Sequence, residues 1–377
     1  MIYFDHNSTT PILPQVKEVM ADAQERFWGN PSSIHSLGRR AFAELERARE
    51  GLGALIGASP DEIYFTSGGT ESDNLACFGV MEQNLDGELL YSAIEHPAVL
   101  GPVAKLASSG RHCSSISVDA EGAVQLEMLS ELLKERTALV SVMAASNEIG
   151  TVQPVEEIGA MIAQSKAVFH CDAVQAFGKI PLDVKRASID LMSLSAHKIN
   201  GPKGIGALYV KRGLKLAPRF FGGTQEMSLR PGTQNVPSIL GFVEAARIAC
   251  NLMDRTAKHL FELTEYMYSE IEHVVSSVIR NGHASVRLPG TLSLCIPGVE
   301  TQVLVAALDQ EGICVSGGSA CHSGSLDPSS VLLAIGRRVQ DAACGVRFSL
   351  GASNTRQEVD AAVSSLKVIV ERVKSYG

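Results

Sequence analysis

The sequence predicts an α/β fold: a large domain with a mostly parallel seven-stranded sheet covered by helices, plus a smaller α+β C-terminal domain. Three observations predict it. From Asp61 to Val210, short apolar runs alternate with helical segments, as strands joined by helices do. Several of those runs are near-continuously apolar, which suits parallel strands buried on both faces. The 377 residues suffice for two domains with substantial cores.

Taken in order, Tyr3 to Thr10 reads as a short strand and a polar turn, with a helix after Pro14. The stretch Gly29-Asn30-Pro31-Ser32-Ser33-Ile34-His35-Ser36 is turn-forming. It leads into a helix with apolar residues at Leu37, Ala41, Leu45, Ala48, Leu52 and Leu55, stopped near Gly57. The sheet strands are expected at Ile63–Thr66, Leu89–Ala93, Ser115–Val118, Leu139–Met143, Ala167–Cys171, Leu191–Leu194 and Ala207–Val210. Glycine-rich loop dominates 221–225 and 230–235, and helix resumes by Ile239. A long helix carries Leu260, Leu263, Met267, Ile271, Val274 and Val278 and is expected to end at Asn281-Gly282. A strand (Thr291–Ile296), a helix (Thr301–Gln310) and a short strand (Ile313–Val315) follow. The last helix opens with a capping box, Thr355 to Glu358. A boundary near Asp254 gives a large domain over 13–254 and a small one from 1–12 and 255–377.

Composition narrows the function classes. A net charge of −8 without a basic block argues against nucleic-acid binding and anionic-membrane binding. No apolar run reaches the length of a membrane span, and the start lacks the pattern of a signal peptide. The eight cysteines form no CxxC pair and no metal-site spacing, so reduced thiols in the cytoplasm are expected.

Four stretches at strand ends carry chemistry. Ligands of parallel sheets gather at those ends. In Ser195-Ala196-His197-Lys198, the lysine follows an apolar run, where desolvation favours a neutral amine able to form a Schiff base. Taken alone, Lys198 reads rather as a solvated turn lysine, and the three stretches that follow reverse that reading. In Phe169-His170-Cys171-Asp172, the carboxylate can pair with the pyridine nitrogen of pyridoxal phosphate, or can simply cap a helix. Tyr64-Phe65-Thr66-Ser67-Gly68-Gly69-Thr70-Glu71 reads as strand, glycine turn and helix start, a place for phosphate. His96, before Pro97, can stack on a cofactor ring or be structural. Together they read as phosphate cup, ring stacker, pyridine partner and Schiff-base lysine.

Two further residues stand out. Cys321 lies in the glycine-rich stretch Ser316 to Ser325, expected to be an exposed, mobile loop able to bring a nucleophile to a site; a tolerated free thiol is the other reading. Arg347 sits inside an apolar strand-like run, where a substrate carboxylate or a structural ion pair would balance its charge.

These residues carry a resemblance. The chain resembles the cysteine desulfurases of the NifS/IscS type, in the class V aminotransferase branch of fold-type I pyridoxal-phosphate enzymes. The matching motifs are Asn30-Pro31-Ser32-Ser33, Ser67 to Asn74, Asn147-Glu148-Ile149-Gly150-Thr151, Asp172-Ala173-Val174-Gln175, Ser195 to Lys198 and Gly318 to Cys321, and nearly the whole chain is covered. The resemblance implies that Lys198 forms the Schiff base and moves protons, and that His96 stacks on the ring. Asp172 would pair with the pyridine nitrogen and Gln175 with the ring hydroxyl. Gly69, Thr70, Ser195 and His197 would hold phosphate, with Thr233 reaching from the partner subunit of a homodimer. Asn147 would lie beside ring and substrate, and Arg347 would hold the carboxylate of L-cysteine. Cys321 would take the sulfur as a persulfide, leaving L-alanine, and pass it to an acceptor or iron–sulfur scaffold protein. No metal is implied in the cofactor site, although Cys321 could briefly ligate a cluster with a scaffold. The alternative is a selenocysteine lyase or another pyridoxal-phosphate lyase or aminotransferase, which needs no accepting cysteine. This sequence departs from the common pattern at His322, Ser146 and Cys171.

Overall fold

The strands of the computed structural model, which describes residues 1–318 and 328–376, are, in chain order, β1 (Ile2–Tyr3), β2 (Ile63–Thr66), β3 (Glu88–Ser92), β4 (His112–Ile116), β5 (Thr137–Ser141), β6 (Val168–Asp172), β7 (Leu191–Ser195), β8 (Gly206–Val210), β9 (Ile279–Asn281), β10 (Thr291–Cys295), β11 (Ile313–Cys314) and β12 (Gly345–Ser349). The helices are α1 (Pro14–Arg26), α2 (Ser36–Ala54), α3 (Gly69–Met81), α4 (Pro97–Ser108), α5 (Leu126–Leu132), α6 (Val155–Ile162), α7 (Val236–Val274), α8 (Thr301–Gln310), α9 (Ser330–Ala334), α10 (Val339–Ala342) and α11 (Arg356–Tyr376).

The main sheet has the order β2-β8-β7-β6-β5-β3-β4. Only β8 runs against its neighbours, so the other six strands point one way and their carboxyl ends share one edge. The seven expected strands are all present. The largest offset is β4, which starts three residues before the expected Ser115. It is an edge strand, and only its last residue is buried, so its polar first half sends no apolar signal.

Two larger apolar cores organise the chain. One packs Phe169, Cys171, Leu194 and Phe242 between the main sheet and its helices. The other gathers Met267, Leu294, Phe348 and Leu366 around the antiparallel sheet β12-β10-β9, and takes in Phe4 from the start of the chain. Parallel pairing of β1 with β11 ties that start down.

Helix α7 corrects the sequence reading. It is one helix of 39 residues, and Asp254 lies inside it. No Gly or Pro follows Gly241 to interrupt it. It ends at Val274, because Val275 is extended, Ser277 adopts φ +65° and Ile279–Asn281 pairs with β10. Val278 therefore lies beyond it. By length and composition α7 can cross a membrane, with a stretch of mean hydropathy 1.3, contrary to the absence expected above. It packs along α1, α2 and α11 and buries Phe242, Met267 and Ile271. The capping box of α11 forms as expected: Thr355 N donates to Glu358 Oε2 at 2.8 Å, and Glu358 N to Thr355 Oγ1 at 3.3 Å.

Candidate active site

At the carboxyl edge of the sheet, β2 gives way to α3 through Ser67 and Gly68. Gly68 holds φ +153°, and a side chain on Gly69 would fall 2.6 Å from Val174. Two bare glycines thus let the helix start close against the turn after β6. The first N–H groups of a helix have no partner within it, and they face an anion favourably. Ser67, Gly68, Gly69, Thr70, Ser195, His197 and Lys203 surround a hollow at this helix start. His197 Nδ1 lies 3.1 Å from Thr9 Oγ1. Burial, and then the charge of Lys198, push its imidazole down to about 4, so it faces the hollow neutral.

Asp172 ends β6, and its Oδ1 accepts from Val174 N at 2.9 Å. His170, two residues earlier on the same strand face, is fully buried, with Ser141 and Ser193 hydroxyls 2.8 and 3.0 Å from its ring nitrogens. Asp73 from α3 joins them, its Oδ1 3.5 Å from His170 Nε2 and without a hydrogen bond. Glu95, buried beside His96, receives Met143 N on Oε1 at 2.7 Å. Three carboxyl groups thus share a dry space. Burial, then Asp73, push Asp172 up to about 6; burial alone pushes Asp73 up, to about 7. Carboxylates so placed favour a cation among them.

The Asp73 shift has a consequence for stability. Its carboxyl keeps its proton in the fold at a pH where the unfolded chain has lost it. That contribution is full below about pH 4 and drains as pH rises toward 7. Asp73→Asn cannot ionise. Melting curves of the cofactor-free protein from pH 4.5 to 8 are expected to show the variant gaining on wild type by about 2–4 kcal/mol. Parallel curves would remove the raised carboxyl from the account.

Lys198 lies just past β7, in the one-turn 3-10 helix Ala196–Lys198. Its Nζ donates to Asn7 O at 2.7 Å and Ser8 O at 2.8 Å. His96 caps α4: its Nδ1 accepts from Ala98 N at 3.1 Å, which turns Nε2 away from the helix. Burial first, and the charge of Lys198, lower its pKa, against the pull of Asp172. Gln175 Nε2 donates to Asn7 O at 2.7 Å.

Arg347, on β12, is 1% exposed. Its Nη1 donates to Asn147 O at 2.9 Å, and its Nη2 to Asp5 Oδ1 and Ser8 Oγ, both at 2.8 Å. Its Nε has no partner. The ion pair with Asp5 shows that the guanidinium already meets carboxylates in this place.

One cavity of about 270 Å³ is lined by Gly69, Thr70, His96, Asn147, Asp172, Gln175, Ser195, His197, Lys198 and Arg347. Ten of the twelve expected site residues therefore converge. Thr233 is exposed and does not reach that cavity. Cys321 lies outside the described residues. Sequence reasoning missed Asp73 and Glu148, which also line the cavity, and the strap Asp5 to Thr9. The strap read only as a polar turn. Its signal was an unbroken polar run right after an apolar strand.

The comparisons agree with this geometry. The family model for class-V aminotransferases matches residues 2–362. The chain is 41% identical to the cysteine desulfurase IscS of Dictyoglomus turgidum, over 99% of this chain and 95% of that one. It is 42% identical to the putative cysteine desulfurase IscS 1 of Bacillus subtilis, over 99% of both. A solved structure described as a NifS-like protein superposes with a TM-score of 0.93 at 36% identity, covering 98% of this chain and 99% of that one.

Proposed function

The chain belongs to the class-V aminotransferase family, on the side of the cysteine desulfurases, and from that premise we propose that it takes sulfur from L-cysteine with the help of pyridoxal 5′-phosphate. The cavity fits that cofactor. An anion-favouring helix start stands at one side, a carboxyl cluster with orphaned Asp73 Oδ1 and Glu95 Oε2 favours a cation at another, and a lysine lies between. When bound, the cofactor supplies an aldehyde for an amine and a protonated ring that takes up an electron pair.

The chain's own residues do the rest. Gly69, Thr70, Ser195 and His197 would hold the phosphate. Asp172 would keep the ring nitrogen protonated, and Gln175 would meet the ring oxygen. Lys198 would supply the amine for the aldehyde and carry the proton at the substrate's α-carbon, and His96 would lie against the ring and serve acid–base steps. Asn147 would lie beside ring and substrate, and Arg347 would hold the substrate carboxylate. The Cys321 thiolate would attack the substrate sulfur: a sulfur–sulfur bond forms as the substrate's carbon–sulfur bond breaks, the electron pair of that bond stays on the β-carbon, which takes up a proton, and L-alanine leaves with the persulfide on Cys321. The observation that carries this reading is the convergence of Lys198, Asp172 and the α3 start on one cavity, in a chain like desulfurases over its full length.

The finer reading is a homodimer that hands sulfur to an acceptor protein, for iron–sulfur clusters or other sulfur-containing products, in the cytoplasm. Seven described cysteines without a disulfide support a reducing compartment. Exposed Trp28, Ile34 and Phe42, and Phe220, Phe221 and Met227, support a covered face. Arg49 of α2 joins the two segments through Glu226, with Nη1 2.8 Å from Oε2. Glu226, Met227 and Ser228 all take positive φ, a strain of about 1–3 kcal/mol each that sets Met227 outward beside Thr233's loop.

Single-turnover mass spectrometry tests the activity. After L-cysteine and before any reductant, the peptide holding Cys321 is expected to gain one sulfur atom as alanine forms. Bound cofactor without alanine would make the chain another enzyme of the family.

A further inference from the structure

Beside the cofactor cavity sits a lysine that the proposed chemistry leaves unused. Lys179 closes the turn after β6, where Phe177 N donates to Ala173 O at 2.8 Å and Lys179 N to Ala176 O at 3.0 Å. Those bonds fold the chain back in a tight turn, which brings Lys179 beside Gln175. Gly178 holds φ +72° there, and a side chain on it would fall 2.9 Å from Ala249 of α7. The turn is thus pinned closely against that helix. Lys179 Nζ donates to Gln175 Oε1 at 2.9 Å, while Gln175 Nε2 donates to Asn7 O at 2.7 Å.

A carboxamide can be turned either way, and its partners decide. The Asn7 carbonyl only accepts, so the nitrogen of Gln175 must face it and the oxygen must face Lys179. That holds whether Lys179 is charged or neutral. The same nitrogen carries a second N–H, and Gln175 lines the cavity. We infer that Lys179 is a positioning residue of the cofactor site: by holding Gln175 Oε1, opposite the Asn7 carbonyl on Nε2, it fixes the amide so that its second N–H meets the cofactor's ring oxygen. The inference rests on the pairing of Gln175 with that oxygen proposed above.

A donor favours the anionic ring oxygen, and so favours release of the proton that the oxygen and the Schiff-base nitrogen share. The titratable and charged groups that Lys179 acts on or that act on it are His6, His197, Lys198 and Arg347. Without Lys179, Gln175 Oε1 loses its donor and the amide is held at the Asn7 carbonyl alone. Its second N–H is then less firmly aimed at the ring oxygen, and the proton is held to higher pH.

The experiment is a visible-absorption pH titration of the loaded dimer, for wild type, Lys179→Met, Lys179→Arg, Gln175→Ala and the Lys179→Met/Gln175→Ala double variant. Lys179→Met is expected to raise the midpoint of the cofactor band by about one pH unit, a tenfold change in the proton equilibrium. Lys179→Arg, which keeps the donor, is expected to stay within about 0.3 unit of wild type. In the Gln175→Ala background the methionine should move the midpoint by no more than about 0.3 unit. An equal shift in both backgrounds overturns the inference, because Lys179 then acts as a bare charge. No shift in Lys179→Met overturns it too, as does an arginine variant that moves as far as the methionine one. If Lys179→Met does not fold, Lys179→Gln decides in its place, because it keeps a donor without the charge: a midpoint within about 0.3 unit of wild type supports positioning, and a shift of about one unit overturns it. A wild-type protein without the band would sink the cofactor reading itself, a separate result.

Discussion

Lys198→Ala is expected to lose the Schiff-base absorption of the bound cofactor and to lower turnover with L-cysteine by at least about 10³-fold. Two roles meet in this side chain. It is the amine for the cofactor aldehyde, and it also holds the strap, donating to the carbonyls of Asn7 and Ser8 at 2.7 and 2.8 Å. Removing it strips a donor from two carbonyls, at a cost of about 1–3 kcal/mol. Lys198→Arg separates the roles, since a guanidinium keeps the donors and the charge but forms no Schiff base. The arginine variant should therefore melt close to wild type, yet match the alanine variant in lost absorption and lost turnover. Absorption and turnover kept in both variants would remove Lys198 from the chemistry.

Cys321→Ala should behave in the opposite way. The cofactor band remains and L-cysteine binds, but no sulfur appears on the protein and alanine release falls by at least about 10³-fold. The described residues on either side of this segment lie at the cavity wall. Ser316 bridges Arg347, with Arg347 N donating to Ser316 O at 2.7 Å. A side chain on Gly318 would fall 2.9 Å from Glu148 Oε2, and Ser329 Oγ donates to that same oxygen at 2.6 Å. Both flanks therefore meet at Glu148, a wall residue of the cavity. Full persulfide formation in the alanine variant would hand the role to another cysteine.

Much of this was legible in the sequence, for a physical reason. Buried parallel strands must be apolar throughout, and chemistry must sit at their ends, so β6 with Asp172 and β7 with Lys198 announced themselves. What stayed hidden depends on distance or on unlikely backbone. Asn7 N donates to Ser349 Oγ at 3.0 Å across 342 positions, and no local pattern encodes that. Glu226, Met227 and Ser228 adopt φ values that favour glycine, so their composition gave no warning. Asp73 and Glu95 broke the rule that buried charge is paired, and a helix face and a turn disguised them. The Gln175–Lys179 pair stayed hidden too, because it forms in a turn with Gly178 at φ +72° and not on a helix, where a spacing of four would have signalled it.

The strap also bears on how the enzyme is made. Asp5, Asn7 and Ser8 leave the ribosome long before Arg347 and Ser349, which fix them. At about 5–20 residues per second, they wait roughly 17–70 s for those partners. Among the described residues β1 pairs with β11, so the second core waits as well. Until then the carbonyls of Asn7 and Ser8 that meet Lys198 are not held in place from Ser349 and Arg347. A chain arrested before β12 thus carries every strand of the main sheet but lacks the last wall residue of the cavity.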